Sequence, residues 1–252
     1  FYIEEYSKAI TNYKKAISIN INSINAYNNI ANIFYFQNNN YDEAIKYFEL
    51  AIKYSPDFAK EKFLVKLDEC KKELDRNYLL EFITNTSVCA EIGVAYGNFS
   101  KRIINKNPKE LHLVDSWDEG GLSKYINDKL TPLNKIQMNN VHNNLKKSFG
   151  KSSFVKIHRK KSKQAASLFV NNFFDFIYID ASHKYSDVLE DLESWFPKIK
   201  KNGYIAGDDY YQKDKYSFTN DYGVVEAVNN FTKKYNLVEK LNIKGNQFLI
   251  KK

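Results

Sequence analysis

Three carboxylates stand at the ends of apolar runs. "GYIAGDD" (Gly203 to Asp209) closes on Asp208 and Asp209, and "FDFIYID" (Phe174 to Asp180) closes on Asp180. If these runs are neighbouring parallel strands, all three acids meet at one edge of a sheet. Crowded carboxylates repel one another and resist desolvation, so without a compensating cation their pKa values rise. A divalent cation removes the conflict, and hard oxygen donors select Mg²⁺, Ca²⁺ or Mn²⁺. The same residues also suit plainer roles, Asp208 and Asp209 in a solvated turn and Asp180 as a helix cap. His183 lies three residues beyond Asp180 in "IDASHKY". An imidazole there suits general-base work near neutral pH, or the capping of a helix predicted from Ser186.

A second group surrounds "EIGVAYGNFS", which holds Glu91, Gly93 and Gly97. Glycines at a strand-to-helix turn permit close backbone approach to a ligand, with the helix N-terminus nearby. The spacing departs from the dinucleotide G-x-G-x-x-G pattern. Asp115 comes 22 positions after Gly93, about the separation at which an acid accepts hydrogen bonds from ribose hydroxyls. Ser162, after "HRKK", either lines an adenine pocket or caps the following helix.

These residues need a parallel sheet to bring them together, and the pattern from Ser87 onward supplies one. Short apolar runs at Val88–Gly93, Leu111–Asp115, Phe154–His158, Phe174–Asp180 and Gly203–Asp209 alternate with helical stretches such as 186–199 and 222–235, as in an α/β domain. Two further runs, Leu237–Ile243 and Gln247–Lys252, are joined by "KGN", a hairpin signal. The stretch from Trp117 to Gly150 has few strand signals and reads as a helical lid. Trp117 itself would either cover a ligand or anchor the loop; His112 and His142 are assigned to structure.

Residues 1–76 read differently. Tyr6, Ala9, Tyr13 and Ala16 align with Tyr41, Ala44, Phe48 and Ala51 at a constant offset of 35. Small alanines let paired helices approach, while aromatic residues fill the gaps between pairs. This pattern resembles the tetratricopeptide (TPR) repeat, with "QNNN" (Gln37 to Asn40) as the place of one added residue and Phe58 to Leu74 as a closing helix. An unrelated helical hairpin is the plainer alternative. The first repeat lacks its opening helix, which points to further repeats upstream. The expected division is 1–76 for the repeats, a surface for a protein partner, and 77–252 for the α/β domain.

Composition excludes little. A chain of 252 residues with 43% hydrophobic content can build a sizeable core. The formal charge of +8 comes mostly from scattered lysines, and only "HRKKSK" forms a basic tract, without interleaved aromatics. That pattern argues for a solvated surface and against a nucleic-acid partner. Cys70 and Cys89 have no metal-ligand spacing and fit thiols in a reducing compartment. No apolar stretch reaches the roughly 18 residues of a membrane span, so a cytoplasmic location is expected.

The stretches "AEIGVAYGNFSKRI", "LHLVDSW", "FDFIYIDASHKYSDVLEDLESWFPKIKKNGYIAGDDY" and "YGVVEAVNNF" resemble class I S-adenosylmethionine (SAM) dependent methyltransferases, and more narrowly the macrocin and novobiocin-type sugar O-methyltransferases. The resemblance implies a Rossmann-like sheet of seven strands ending in an antiparallel hairpin. It implies that Glu91, Gly93 and Gly97 cradle the methionine part of SAM and that Asp115 binds its ribose. It also implies Mg²⁺ on Asp180, Asp208 and Asp209, engaging two adjacent hydroxyls of a sugar, glycan or other vicinal diol. Some relatives carry an Asp two positions after the first metal ligand; Ser182 stands there, which leaves His183 as the base beside Asp180. Two other classes compete. One is a nucleic-acid methyltransferase, which the absence of an Asn-Pro-Pro-Tyr ending disfavours; the other is a TPR interaction protein with a degenerate SAM domain.

Overall fold

The computed structural model describes residues 2–36, 40–118, 121–126, 129–210 and 222–252. The chain divides into two compact units, Phe1–Tyr78 and Leu79–Lys252.

The first unit is helical: α1 (Tyr2–Ile19), α2 (Ile24–Phe36), α3 (Tyr41–Tyr54) and α4 (Asp57–Leu79). The side chain of Asn40 accepts from the Glu43 backbone N–H and so starts α3. Tyr41, Ala44, Phe48 and Ala51 repeat at helical spacing and are all buried, with Tyr27, Ala31, Phe63 and Cys70 completing the core. Their counterparts in α1 are less enclosed: Tyr6, Ala9 and Tyr13 are half-buried and Ala16 is exposed. The ring of Tyr27 stacks on Tyr54 at 5.5 Å between centroids. α4 outruns the predicted 58–74 because no glycine or proline interrupts it. The predicted added residue falls largely on 37–39, outside the described residues.

The second unit is a seven-stranded mixed sheet flanked by helices, a Rossmann-like arrangement. Its strands are β1 (Val88–Ile92), β2 (Glu110–Asp115), β5 (Val155–Arg159), β6 (Phe174–Ile179), β7 (Ile199–Gly207), β8 (Leu241–Lys244) and β9 (Gln247–Lys251). Their order is β5-β2-β1-β6-β7-β9-β8, parallel except for antiparallel β9. Every residue of β1 is buried, as expected of a central strand covered on both faces. The helices are α5 (Asn98–Asn105), α6 (Lys135–Phe149), α7 (Ser162–Ala166), α8 (Tyr185–Trp195) and α9 (Val224–Lys234). Phe174, Ile177, Leu192, Trp195, Val228 and Phe231 form part of a core between sheet and helices.

Chain order runs outward from β1 through β2 to β5, then returns to β6 on the other side of β1. The β1/β6 junction is therefore the topological switch point, where ligands collect in open α/β sheets.

Some boundaries differ from the predicted ones. The helical reading of 117–150 holds for α6, but β3 (Ser123–Ile126) and β4 (Lys129–Pro132) pair antiparallel ahead of it. The signal was the β-favouring Tyr125, Ile126 and Thr131. β7 begins at Ile199 instead of Gly203, and β8 at Leu241 because a 3₁₀ turn occupies Val238–Lys240.

Candidate active site at the carboxyl edge of the sheet

β1 leaves the sheet through a turn with three left-handed residues: Gly93 (φ 86°), Ala95 (φ 51°) and Gly97 (φ 75°). Gly93 has no room for a side chain, since a Cβ there would lie 2.0 Å from the Asp180 carbonyl oxygen. Gly97 precedes α5 and packs so tightly that a Cβ would meet Leu145 at 2.5 Å. Glu91 sits below this turn, 2% exposed, and accepts a hydrogen bond of 2.6 Å from the Ser100 hydroxyl of α5. Its carboxylate thus ties the start of α5 to β1.

Asp115, at the end of β2, braces the same turn from the side. One carboxylate oxygen accepts from Ala95 N–H at 2.9 Å and the other from Trp117 N–H at 2.7 Å. Each oxygen keeps a second lone pair, and the residue is only half-buried. Trp117 is the buried anchor of this loop, 1% exposed, with its indole N–H on the Ala95 carbonyl and its ring against His142. Arg159, at the end of β5, donates to the Ser116 and Trp117 carbonyls and fixes the loop from outside.

On the other side of the switch point, the ladder continues past the strand ends. Asp180 N–H donates to Ile92 O, and Asp208 N–H to Ile179 O. Ligand atoms of Asp180, His183 and Asp209 lie within 4.8 Å of one another, and His183 Nε2 is 2.8 Å from Asp209 Oδ2. Asp208 is turned elsewhere. Its Oδ1 accepts from Gln247 Nε2 at 2.6 Å and from Asp209 N–H at 2.7 Å, and Gln247 in turn accepts from the Tyr178 hydroxyl. Asp209 adopts a left-handed φ of 62°. Two adjacent aspartates therefore face different ways, with Asp208 inward to β9 and Asp209 toward the cluster. The His183 side chain is 46% exposed, against 9% for Asp209, so the imidazole is the accessible member.

Ser162 is the first residue of α7, and its hydroxyl is engaged with Asp191 and with the indole N–H of Trp195. Burial pushes the Asp191 carboxyl up to about 6, partly offset by the hydrogen bond from Ser162. The two histidines assigned to structure are packed inside the unit, His142 against Trp117. His112 Nδ1 is 3.0 Å from His158 Nε2, and its Nε2 is 3.2 Å from Glu110; burial holds its pKa down to about 4. Both cysteines are buried free thiols, and burial pushes Cys70 up to about 12. Among the described residues no helix is long and apolar enough to cross a membrane.

The sequence offered no local signal for Ser100, Arg159, Gln247 or Asp191 as partners. Each is recruited through a distant strand or helix.

Residues 90–210 match the family model of a methyltransferase domain, and residues 1–37 and 24–58 match models of TPR repeats. No curated protein matches the sequence. A protein of Corynebacterium glutamicum shares the fold, with 13% identity, a TM-score of 0.51, and coverage of 83% of this chain and 97% of its own. A putative caffeoyl-CoA O-methyltransferase from Staphylococcus aureus is similar at 15% identity and TM-score 0.49, covering 82% of this chain and 98% of its own. The O-methyltransferase NovP is similar at 14% identity and TM-score 0.47, covering 74% and 80%.

Proposed function

We propose that this chain is a SAM-dependent O-methyltransferase that acts, with the help of a divalent cation, on a hydroxyl of a sugar, glycan or other vicinal diol. The observation that carries the reading is the Gly93–Asp180 contact. It places a left-handed glycine turn braced by a ribose-competent acid against a carboxylate–imidazole cluster across one switch point. The methyltransferase-domain match over 90–210 supports it.

The residues present suit SAM. The turn from Gly93 to Gly97 brings bare backbone to the cleft, and Asp115 has acceptor capacity left for ribose hydroxyls. Glu91 acts from beneath, holding the turn through Ser100. Ser162 has its hydroxyl on Asp191, so its role toward an adenine is to fix the α7 backbone. SAM held there would supply a sulfonium methyl group for transfer to an acceptor oxygen, and would leave as the neutral thioether.

The acid cluster likewise suits a cation, because the carboxylates of Asp180 and Asp209 converge at ligand spacing. Asp180 and Asp209 are the carboxylates that would hold it, with Asp208 as the buried support that orients Asp209 through its N–H. A divalent cation such as Mg²⁺ would orient two adjacent hydroxyls and lower the pKa of one. His183 is the base: it is exposed enough to meet an incoming hydroxyl, and its Nε2 lies 2.8 Å from Asp209 Oδ2, which orients the ring. The repeats, residues 1–76, offer a surface for a protein partner or a carrier of the acceptor, and the catalytic unit is 77–252.

Calorimetry of SAM with and without Mg²⁺, followed by methyl transfer to catechol as a diol probe, tests the reading. Binding of SAM with metal-dependent transfer is expected. No heat under either condition would leave an interaction scaffold as the better account.

A further inference from the structure

The chain enters α9 through Tyr222 and Gly223, and Tyr222 makes two contacts with the candidate base and Asp209. The Tyr222 ring stacks on the His183 imidazole, centroids 5.5 Å apart and planes inclined by 29°. The Tyr222 hydroxyl donates to the Asp209 backbone carbonyl at 2.8 Å. One side chain thus touches both members of the His183–Asp209 pair, which come from different strand ends.

Gly223 locks this arrangement. Its N–H donates to the His183 carbonyl at 2.8 Å, and a Cβ there would lie 2.5 Å from Tyr185 Cβ. Tyr222 also lies half-buried against the core, so its ring is held while it stacks. Asp209 needs such a hold, because its φ of 62° is a conformation that a non-glycine residue keeps only when its surroundings fix it.

We infer that Tyr222 is the positioning residue of the site: its ring sets the plane of the His183 imidazole and its hydroxyl pins the left-handed Asp209 backbone, so that base and carboxylate stay in register. This rests on the role proposed above for His183 and Asp209. Tyr222 acts through them and takes no part in the chemistry itself.

The test compares wild type, Y222F and Y222L. Histidine-ring NMR signals are assigned with H183Q, Mn²⁺ alone serves as the metal probe, and SAM calorimetry reports on the distant turn. In wild type the His183 ring protons should lie upfield, shielded by the aromatic face. Y222F should keep that shift yet lose about tenfold in Mn²⁺ affinity, the scale of removing a supporting hydrogen bond. Y222L should lose both the shift and the affinity, with SAM binding within about twofold of wild type in every variant. Unchanged His183 signals in Y222L, or wild-type Mn²⁺ affinity in Y222F, would overturn the inference. If wild type binds neither SAM nor Mn²⁺, the functional reading fails while the ring signals still decide whether Tyr222 orients His183.

Discussion

Gly93 and Asp180 touch across the switch point: the space where a Gly93 side chain would stand is filled by the Asp180 main chain, 2.0 Å from a Cβ. The end of β1, which would face the cofactor, and the end of β6, which would face the metal, are thus one packed unit. Replacing Gly93 with alanine adds a clash to a left-handed φ of 86°. G93A should lose about 2–4 kcal/mol in denaturant unfolding. It should also weaken both SAM and Mn²⁺ binding, whereas substitutions confined to either strand end should weaken one.

Asp115 holds two backbone N–H groups with two oxygens. D115N keeps the shape but sets an amide N–H₂ against one of those donors. Loss of one charge-assisted bond should cost about 1.5–3 kcal/mol of stability. Calorimetry should show a parallel fall in SAM affinity, and Mn²⁺ binding should be spared.

Mn²⁺ titrations separate the roles at the acid cluster. D180N and D209N should each weaken binding by about 100-fold, and D208N by about tenfold through the Asp209 N–H it supports. H183Q should keep most of the Mn²⁺ affinity and lose transfer to catechol by about 10²–10⁴-fold, the range for removing a general base. Equal losses of Mn²⁺ in H183Q and D209N would make His183 a ligand instead.

Asp191 is a buried carboxyl whose folded pKa of about 6 lies above the usual 3.8. The folded state therefore binds the proton more tightly, and stability falls as pH rises from about 3.8 to 6. D191N removes that penalty. It should be more stable than wild type by up to about 3 kcal/mol at pH 8, with the difference closing below pH 4 in urea titrations.

His112 has the opposite sign. Its pKa, held down to about 4 from 6.5, means the unfolded chain binds more protons between these values, so stability falls as pH drops through that window. In wild type the two groups partly cancel. In D191N the loss of stability on acidification should steepen, with His112 contributing roughly 3 kcal/mol of it between pH 6.5 and 4 and the burial-lowered His142 and His158 acting in the same direction.

The sequence by itself determined the elements and the strand ends. β1, β2, β6 and β7 announce themselves as apolar runs closed by Gly93, Asp115, Asp180 and Asp208, and the repeat of Tyr41, Ala44, Phe48 and Ala51 marks the helical unit. Periodicity and turn chemistry are local, so a linear reading recovers them. Only the tertiary structure decided which way the acids face. Gln247 claims Asp208 from 39 residues away, Asp191 claims Ser162 from 29, and Tyr222 reaches Asp209 across a segment the sequence leaves open. The first of these follows from the sheet order, which lays antiparallel β9 beside β7, and the others from how the helices and strand ends pack around it. A hydrogen bond is made with whatever donor the register brings within about 3 Å, and no local pattern encodes that register.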